Sequence, residues 1–324
     1  MKIYILFILL ILFSCRKDEK IKIDGPDLYD VYGEFAVLSD LNPSQTEVDF
    51  SNSENIYFEC SLAKIVDWKI SIVGQESGAE KIIEGTGKEL DVSNCTWNGS
   101  TTNFPFFKSE PCDVSLTFEG EEDTLTTSLT ILAPKVNNGV LVTDFELGWN
   151  SSWSTFIQSG ANMDFNIKND GSSPEGASYY NMQGKVNWDW LIGLIDFNAS
   201  SLGSITFPLN DNAENLYFNI LVYGEQGLPN TLMLLRFDED ENLDGTFDEQ
   251  SEDQYTYEFP VDWEGWRLIS VKYAELDGGG NGDGKYNPEK LNKVSVLHLA
   301  NPSSGFAKSA IDYLIFTENA ELEP

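Results

Sequence analysis

Ile56-Tyr57-Phe58-Glu59-Cys60-Ser61-Leu62 alternates apolar and polar side chains residue by residue, and Trp68-Lys69-Ile70-Ser71-Ile72 repeats the pattern. A period of two puts every second side chain on one face, which is the signature of a half-buried strand. Cys112, Val114, Leu116 and Phe118 continue it further along. Polar, Gly- and Pro-containing turns separate these runs, so residues 34–136 read as strand after strand with one buried face each. Sandwiches are built this way.

Ala133-Pro134-Lys135 and Asn137-Asn138-Gly139 interrupt the pattern, and Pro with Asn-Gly between apolar runs marks a boundary. The expected second unit is 137–324. It is again strand-rich: Val140-Leu141-Val142 opens it and Ile311 to Phe316 closes it. Between them lie 215–223, 231–237 and 266–273, with one helical turn expected near Pro288. About ten strands over this length fit a jelly-roll sandwich. The expected fold class is therefore all-β, with two successive sandwiches.

The first residues carry an address. Ile3 to Phe13 is an apolar run too short for a membrane span, which needs about 20 residues, and it has the length of a signal-peptide core. A signal peptide is expected over 1–14 and a tether over 15–33. The chain carries 53 Asp and Glu against 20 Lys and Arg, a formal net charge of −33. Such a surface repels nucleic acid and polyanionic polysaccharides and leaves neutral partners favoured. An aromatic content of 13 % argues against disorder. Cys60, Cys95 and Cys112 remain beyond the leader, an odd number that allows any of three single bridges. None stands close enough to another Cys, or to His298, for a zinc site of ordinary spacing.

Several segments resemble known families. Leu12-Phe13-Ser14-Cys15 resembles the bacterial lipobox, although Phe13 departs from the small residue usual there. That resemblance implies acylation of Cys15 and insertion in outer-membrane lipid. Arg16-Lys17-Asp18-Glu19-Lys20 resembles the tag that exports lipoproteins of Bacteroidetes to the cell exterior. Cys60 and Cys112 on the inward parity, with Trp68 between them, resemble the immunoglobulin pattern, although Glu110 stands where its tyrosine is expected. The implied first unit is an Ig-like or PKD-like sandwich with a preferred Cys60–Cys112 disulfide, Cys95–Cys112 being the alternative. Thr143 to Trp149, Trp266 to Val271, Leu291 to Leu299 and Ile311 to Phe316 resemble carbohydrate-binding modules with a galactose-binding-like jelly roll. Together these features resemble surface glycan-binding lipoproteins of Bacteroidetes polysaccharide-utilisation systems. The resemblance implies capture of a neutral polysaccharide for an outer-membrane transporter complex. A surface adhesion or protein-interaction module is the alternative.

Two calcium sites are expected. The jelly-roll resemblance implies a structural ion shared by Glu146 of the first strand and Asp312 of the last. Independently, Asp240, Asn242, Asp244 and Asp248 follow the spacing of an EF-hand-type loop with Gly245 at its sixth position, although Ser251 replaces the chelating Glu. Residues 277–284, rich in glycine, read as a flexible loop.

Sugars are held by flat aromatic faces and planar polar groups. Trp188 and Trp190 share parity and are the expected platform, beside Tyr179 and Gln183, with Trp153 and Trp263 as further candidates. A core position is the competing reading for each ring. The Glu-x-Asp-x-Glu strand motif of jelly-roll glucanases, the Gly-x-Ser-x-Gly elbow, the phosphate loop and His-Glu-x-x-His are all missing from the sequence. Binding without catalysis is the expectation, and His298 is read as structural.

Overall fold

The computed structural model describes residues 33–186, 191–228, 231–300 and 306–324. Cys15, the charged tag behind it, Trp188 and Trp190 lie outside the described residues. Among the described residues every regular element is a β-strand or a short 3-10 turn, including one at Pro288–Lys290.

The first half contributes β1 (Val37–Pro43), β2 (Glu47–Asp49), β3 (Ile56–Gly74), β4 (Glu80–Leu90), β5 (Thr96–Trp97), β6 (Pro111–Phe118) and β7 (Thr124–Ala133). Their path is β1-β3-β6-β7-β2, with β4 and β5 also paired to β3. Only Ser44, Gln45 and Thr46 join β1 to β2, at opposite ends of that path. So short a link spans at most about 14 Å. The sheet must therefore curl until its ends meet, and it encloses one core running from Leu41 to Ile131.

The two alternating segments read as separate strands are one 19-residue strand, β3. Its even-numbered residues face inward on both sides of a bulge, where the register against β4 jumps from Ser61↔Glu89 to Val66↔Gly87. Continuity of β3 overturns the expected disulfide. Cys112 stands opposite Gly74, at the far end of the strand from Cys60. Measured along β3 the separation is on the order of 40 Å at about 3.3 Å per residue, against the ~4.4–6.8 Å between Cα atoms that a bridge requires. The Cys95–Cys112 alternative is not formed either: all three cysteines are free and buried. Cys95 donates to the carbonyl oxygens of Phe58 and Asp91 at 3.0 and 3.1 Å, and Cys60 to that of Ser39 at 3.3 Å. Shared inward parity was necessary for the bridge but not sufficient.

The second half contributes β8 (Val140–Thr143), β9 (Ser154–Ile157), β10 (Asn162–Lys168), β11 (Tyr179–Lys185), β12 (Leu191–Asn198), β13 (Leu216–Gly224), β14 (Thr231–Glu239), β15 (Gln254–Pro260), β16 (Gly265–Lys272), β17 (Asp277–Gly278), β18 (Leu291–Ala300) and β19 (Phe306–Glu318). They form two sheets, β10-β11-β19-β13-β16 with β8 on β19, and β17-β15-β14-β18-β12-β9. All pairings are antiparallel. Phe218, Ile220, Val222, Ile311 and Phe316 from one sheet meet Ile195, Phe197, Met233, Leu235, Phe237 and Val296 from the other in a shared core, so this half is a β-sandwich. His298 is fully buried there, edge-on to Phe165, and burial lowers its pKa to about 4. It is a neutral core residue.

The halves touch through Phe106, whose N–H donates to Pro174 O at 2.8 Å and whose ring meets Tyr313 at 5.5 Å. Thr101 N–H to Pro324 O and a Lys135–Glu323 ion pair add to this contact.

Burial pushes the Cys60 and Cys112 thiols up to about 11 and about 12, and thiolate is the reactive form. In a chain carrying Cys15→Ala, the native protein should therefore resist a thiol reagent, and three thiols should titrate in denaturant without any reductant. A count of one in denaturant would restore a disulfide.

Candidate functional site

Alternation along the β10–β16 sheet sends Tyr180 and Met182 inward and Tyr179, Asn181 and Gln183 outward. Register then builds a row across four strands, because Asn181 stands opposite Ala310, Ala310 opposite Tyr223, and Tyr223 opposite Trp266. Ala310 has almost no side chain, so the middle of the row is low and its ends are high. The result is a cleft of about 270 Å³ lined by Tyr179, Asn181, Tyr223, Glu225, Trp266 and Lys308.

Trp266 is its centrepiece. The edges or faces of two tyrosines meet the indole, Tyr179 at 5.7 Å and Tyr223 at 5.4 Å, and all three rings are half-buried. Its Nε1 donates to Ser172 O at 2.9 Å, which fixes the ring against the loop before β11. Tyr179 donates its hydroxyl to Asp170 Oδ2 at 3.0 Å; burial, then this bond, raises its pKa to about 12. The rim is polar: Lys308 pairs with Glu225 at 2.7 Å, and Asn181 and Gln183 donate to Asp164 O and Oδ2, both at 3.1 Å. Aromatic surface ringed by amides and an ion pair can hold the C–H face of a flat polar ligand and bond its hydroxyls.

Tyr179 and Gln183, expected from the sequence beside a Trp188–Trp190 platform, lie on this outward face. Trp153 needs correction. It is buried among Phe145, Trp149 and Phe197 and offers no face to a ligand. Trp263 is half-buried, with Phe259 stacked 6.3 Å away, the Arg267 guanidinium 4.6 Å from its ring, and Nε1 donating to Val222 O, and it lies apart from the residues lining this cleft. Trp266 and Tyr223 were not among the residues expected to line the site. Their partnership depends on the β13–β16 register, which no local pattern encodes.

The metal candidates separate into two places. Glu146 Oε1 accepts the N–H groups of Ala177 and Ser178 at 2.7 and 2.6 Å. Asp312 is fully buried and accepts from Ser173 Oγ at 2.9 Å and from Tyr313 N at 2.8 Å. It sits at a bulge where β19 carries an extra residue against β13 and Tyr313 takes φ 48°. Burial, reinforced by Glu175 and Glu146, pushes its carboxyl up to about 9. Glu175 rises to about 7 by burial and by the charges of Asp144 and Glu146, and its Oε2 is buried without a partner. These carboxylates feel one another's charge, but among the described residues they do not form a group of three with oxygens close enough to share a metal ion.

In the 240–248 loop, Asp240 accepts from the backbone N–H groups of Asp244 and Gly245 at 3.2 and 2.6 Å. Asn242 and Asp244 make the same kind of turn to Asp244 N and Thr246 N. Asp248 instead caps Gln250 N and Ser251 Oγ. Glu252, one place beyond the vacant chelating position, folds back to accept from Asn242 N and Asp248 N. The glycine-rich 277–284 segment differs from the flexible loop expected of it: Gly280, Gly282 and Gly284 all donate to the buried Asp253 carboxylate at 2.6–3.1 Å. Glu241, Asp253 and Asp283 thereby come together as an acidic group able to hold a metal.

No family model matches this sequence, and no curated protein matches it. Solved structures resemble it at low identity. A family 11 carbohydrate-binding module from Clostridium thermocellum, in complex with a β-1,3-1,4-mixed-linked tetrasaccharide, is 15 % identical with a TM-score of 0.40, covering 58 % of this chain and 100 % of that one. SGBP-B from a complex xyloglucan utilization locus in Bacteroides uniformis is 12 % identical with a TM-score of 0.36, covering 88 % of this chain and 73 % of that one.

A group whose folded pKa is raised stabilises the fold below its unfolded value and loses that contribution as pH rises through the folded value. For Asp312 the loss runs from about pH 4 to about pH 9. In EDTA, Asp312→Asn should therefore melt several degrees above the parent at pH 8, and the gap should close by pH 4. Calorimetry across that range checks this; a gap independent of pH would contradict it.

Proposed function

We propose that this chain is a non-catalytic glycan-binding protein that holds a neutral oligosaccharide or polysaccharide on the outer face of the β10–β16 sheet. The observation that carries the reading is the Tyr179–Trp266–Tyr223 cluster beside Asn181 and the Lys308–Glu225 pair. A net charge of −33 supports an uncharged ligand. In this reading the chain is an Ig-like or PKD-like spacer followed by a jelly roll, with a boundary near residue 137. Acylated Cys15 tethers it to the exterior of the outer membrane, where it passes glycan to an uptake complex. Trp188 and Trp190, the platform expected from the sequence, are a second candidate for sugar contact, and a structural calcium ion at Glu146 and Asp312 sets the loop that carries Ser172.

Each ring in contact with sugar contributes on the order of 1–1.5 kcal/mol, so its loss weakens binding about tenfold. Trp266→Ala and Tyr223→Ala should each raise the Kd for a soluble neutral glucan or xyloglucan by that factor. Affinity electrophoresis finds the glycan, and titration calorimetry reads the constant. Circular dichroism must show each variant folded. A folded Trp266→Ala variant that binds at parental strength rejects this face, and loss confined to Trp188→Ala with Trp190→Ala moves the site to those residues.

The anchor has its own test. A palmitate analogue fed to expressing cells should label the parent and leave Cys15→Ala unlabelled; equal labelling of both rejects acylation at Cys15.

A further inference from the structure

Where β14 runs out and β15 begins, the chain buries five carboxylates in two short runs: Asp238, Glu239 and Asp240, then Glu252 and Asp253. Asp238 is neutralised by Lys293 at 2.7 Å. Asp240 and Glu252 are occupied by the loop backbone between them. Asp253 instead reaches Glu241 and Asp283, and one oxygen from each of the three lies within 4.8 Å of the others. Three carboxylates at that range repel one another unless a cation or shared protons intervene. Lys285 approaches the Asp283 edge at 3.2 Å, but it is largely exposed.

A second observation points to the same place. Glu239 is fully buried and its Oε2 has no partner, and the buried Tyr255 hydroxyl has none either. The other oxygen of Glu239 accepts from Asn287 N at 2.8 Å, and the Asn287 amide donates to Asp283 Oδ1 at 3.3 Å. Asn287 thereby links Glu239 to Asp283 of the triad. Tyr255 lies against Tyr286, ring centroids 4.5 Å apart, in the same loop wall. Gly282 keeps the space open: a Cβ there would lie 2.3 Å from Glu241 Oε1 and 2.8 Å from Asp253 Oδ2.

We propose that Glu241, Asp253 and Asp283 hold a calcium ion that clasps the 240–253 loop to the 277–287 loop. The donors are all oxygens, which selects a hard cation. The flexible, irregular arrangement suits calcium, which takes six to eight oxygens, better than magnesium with its strict octahedron. This centre is separate from the Asp240–Asp248 loop spacing and from Glu146 and Asp312. It stands whether or not the chain binds glycan.

The test uses the full chain with calcium and, as a luminescent probe, terbium, whose emission Tyr255 and Tyr286 would sensitise. Millimolar calcium should raise the melting temperature over EDTA by mass action. Asp283→Asn, at an exposed position, should not lower the EDTA midpoint, should shrink the calcium shift and should weaken terbium binding at least tenfold. Gly282→Ala should weaken terbium binding likewise, by filling the space between the carboxylates. Asp244→Asn should leave this binding intact. The proposal is overturned if the parent does not respond to calcium, or if Asp283→Asn and Gly282→Ala bind terbium as the parent does. It is equally overturned if Asp244→Asn alone abolishes binding, which would place the ion in the neighbouring loop.

Discussion

The C-terminal sandwich depends on the pairing of β19, which lies between β11 and β13 and also receives β8. Its inward residues, Ile311, Leu314 and Phe316, belong to the shared core, and burial of such side chains stabilises a fold by about 1.5–3 kcal/mol each. Its outward residues have different work. Ala310 forms the low floor of the aromatic cleft, Lys308 supplies the rim cation, and Asp312 enters the acidic cluster under the 173–178 loop. A slip of one residue along this strand would exchange the two sets and remove core, cleft and cluster together. The bulge at Tyr313 adjusts the strand locally, so that Asp312 turns into the cluster while Leu314 and Phe316 still pack.

Burying acid is the second constraint, and the chain meets it in different ways. Glu110, in the N-terminal half, accepts from Glu76 N, Ser77 N, Ser77 Oγ and Lys108 N at 2.5–2.9 Å. Burial alone would raise its pKa, yet these donors hold it below the usual carboxylate range. Gly74 is required beside it, because a Cβ there would fall 2.5 Å from its Oε1. Asp238 uses a lysine. Asp312 and Glu175 have too few donors for their burial, so their pKa values rise. Donor count contributes to the difference: Glu110 has four N–H or O–H partners, whereas Asp312 has two and also faces the charges of Glu175 and Glu146.

Local pattern determined much of this protein. Period-two alternation is enough to identify strands, because one face must leave water and the other need not, and the strand readings came near the observed limits of β6 and β13 while dividing β3 in two. The outward parity of Tyr179 and Gln183 follows from the same rule. The spacing of Asp240, Asn242 and Asp244, read as a calcium loop, coincides with turns in which each side chain accepts from backbone a few residues away.

Tertiary structure decided what depends on residues distant in the chain. Parity could not show that Cys60 and Cys112 lie at opposite ends of one continuous strand, because parity carries no information about position along it. Nor could it separate the buried ring of Trp153 from the cleft ring of Trp266, because a tryptophan's role depends on which strand becomes its neighbour. Tyr223 meets Trp266 only through the β13–β16 register. Glu241, Asp253 and Asp283 meet only because Asp253 gathers the N–H groups of Gly280, Gly282 and Gly284. Those contacts cost chain entropy that only the assembled sandwich offsets, so the fold, rather than any local motif, creates both the cleft and the clasp.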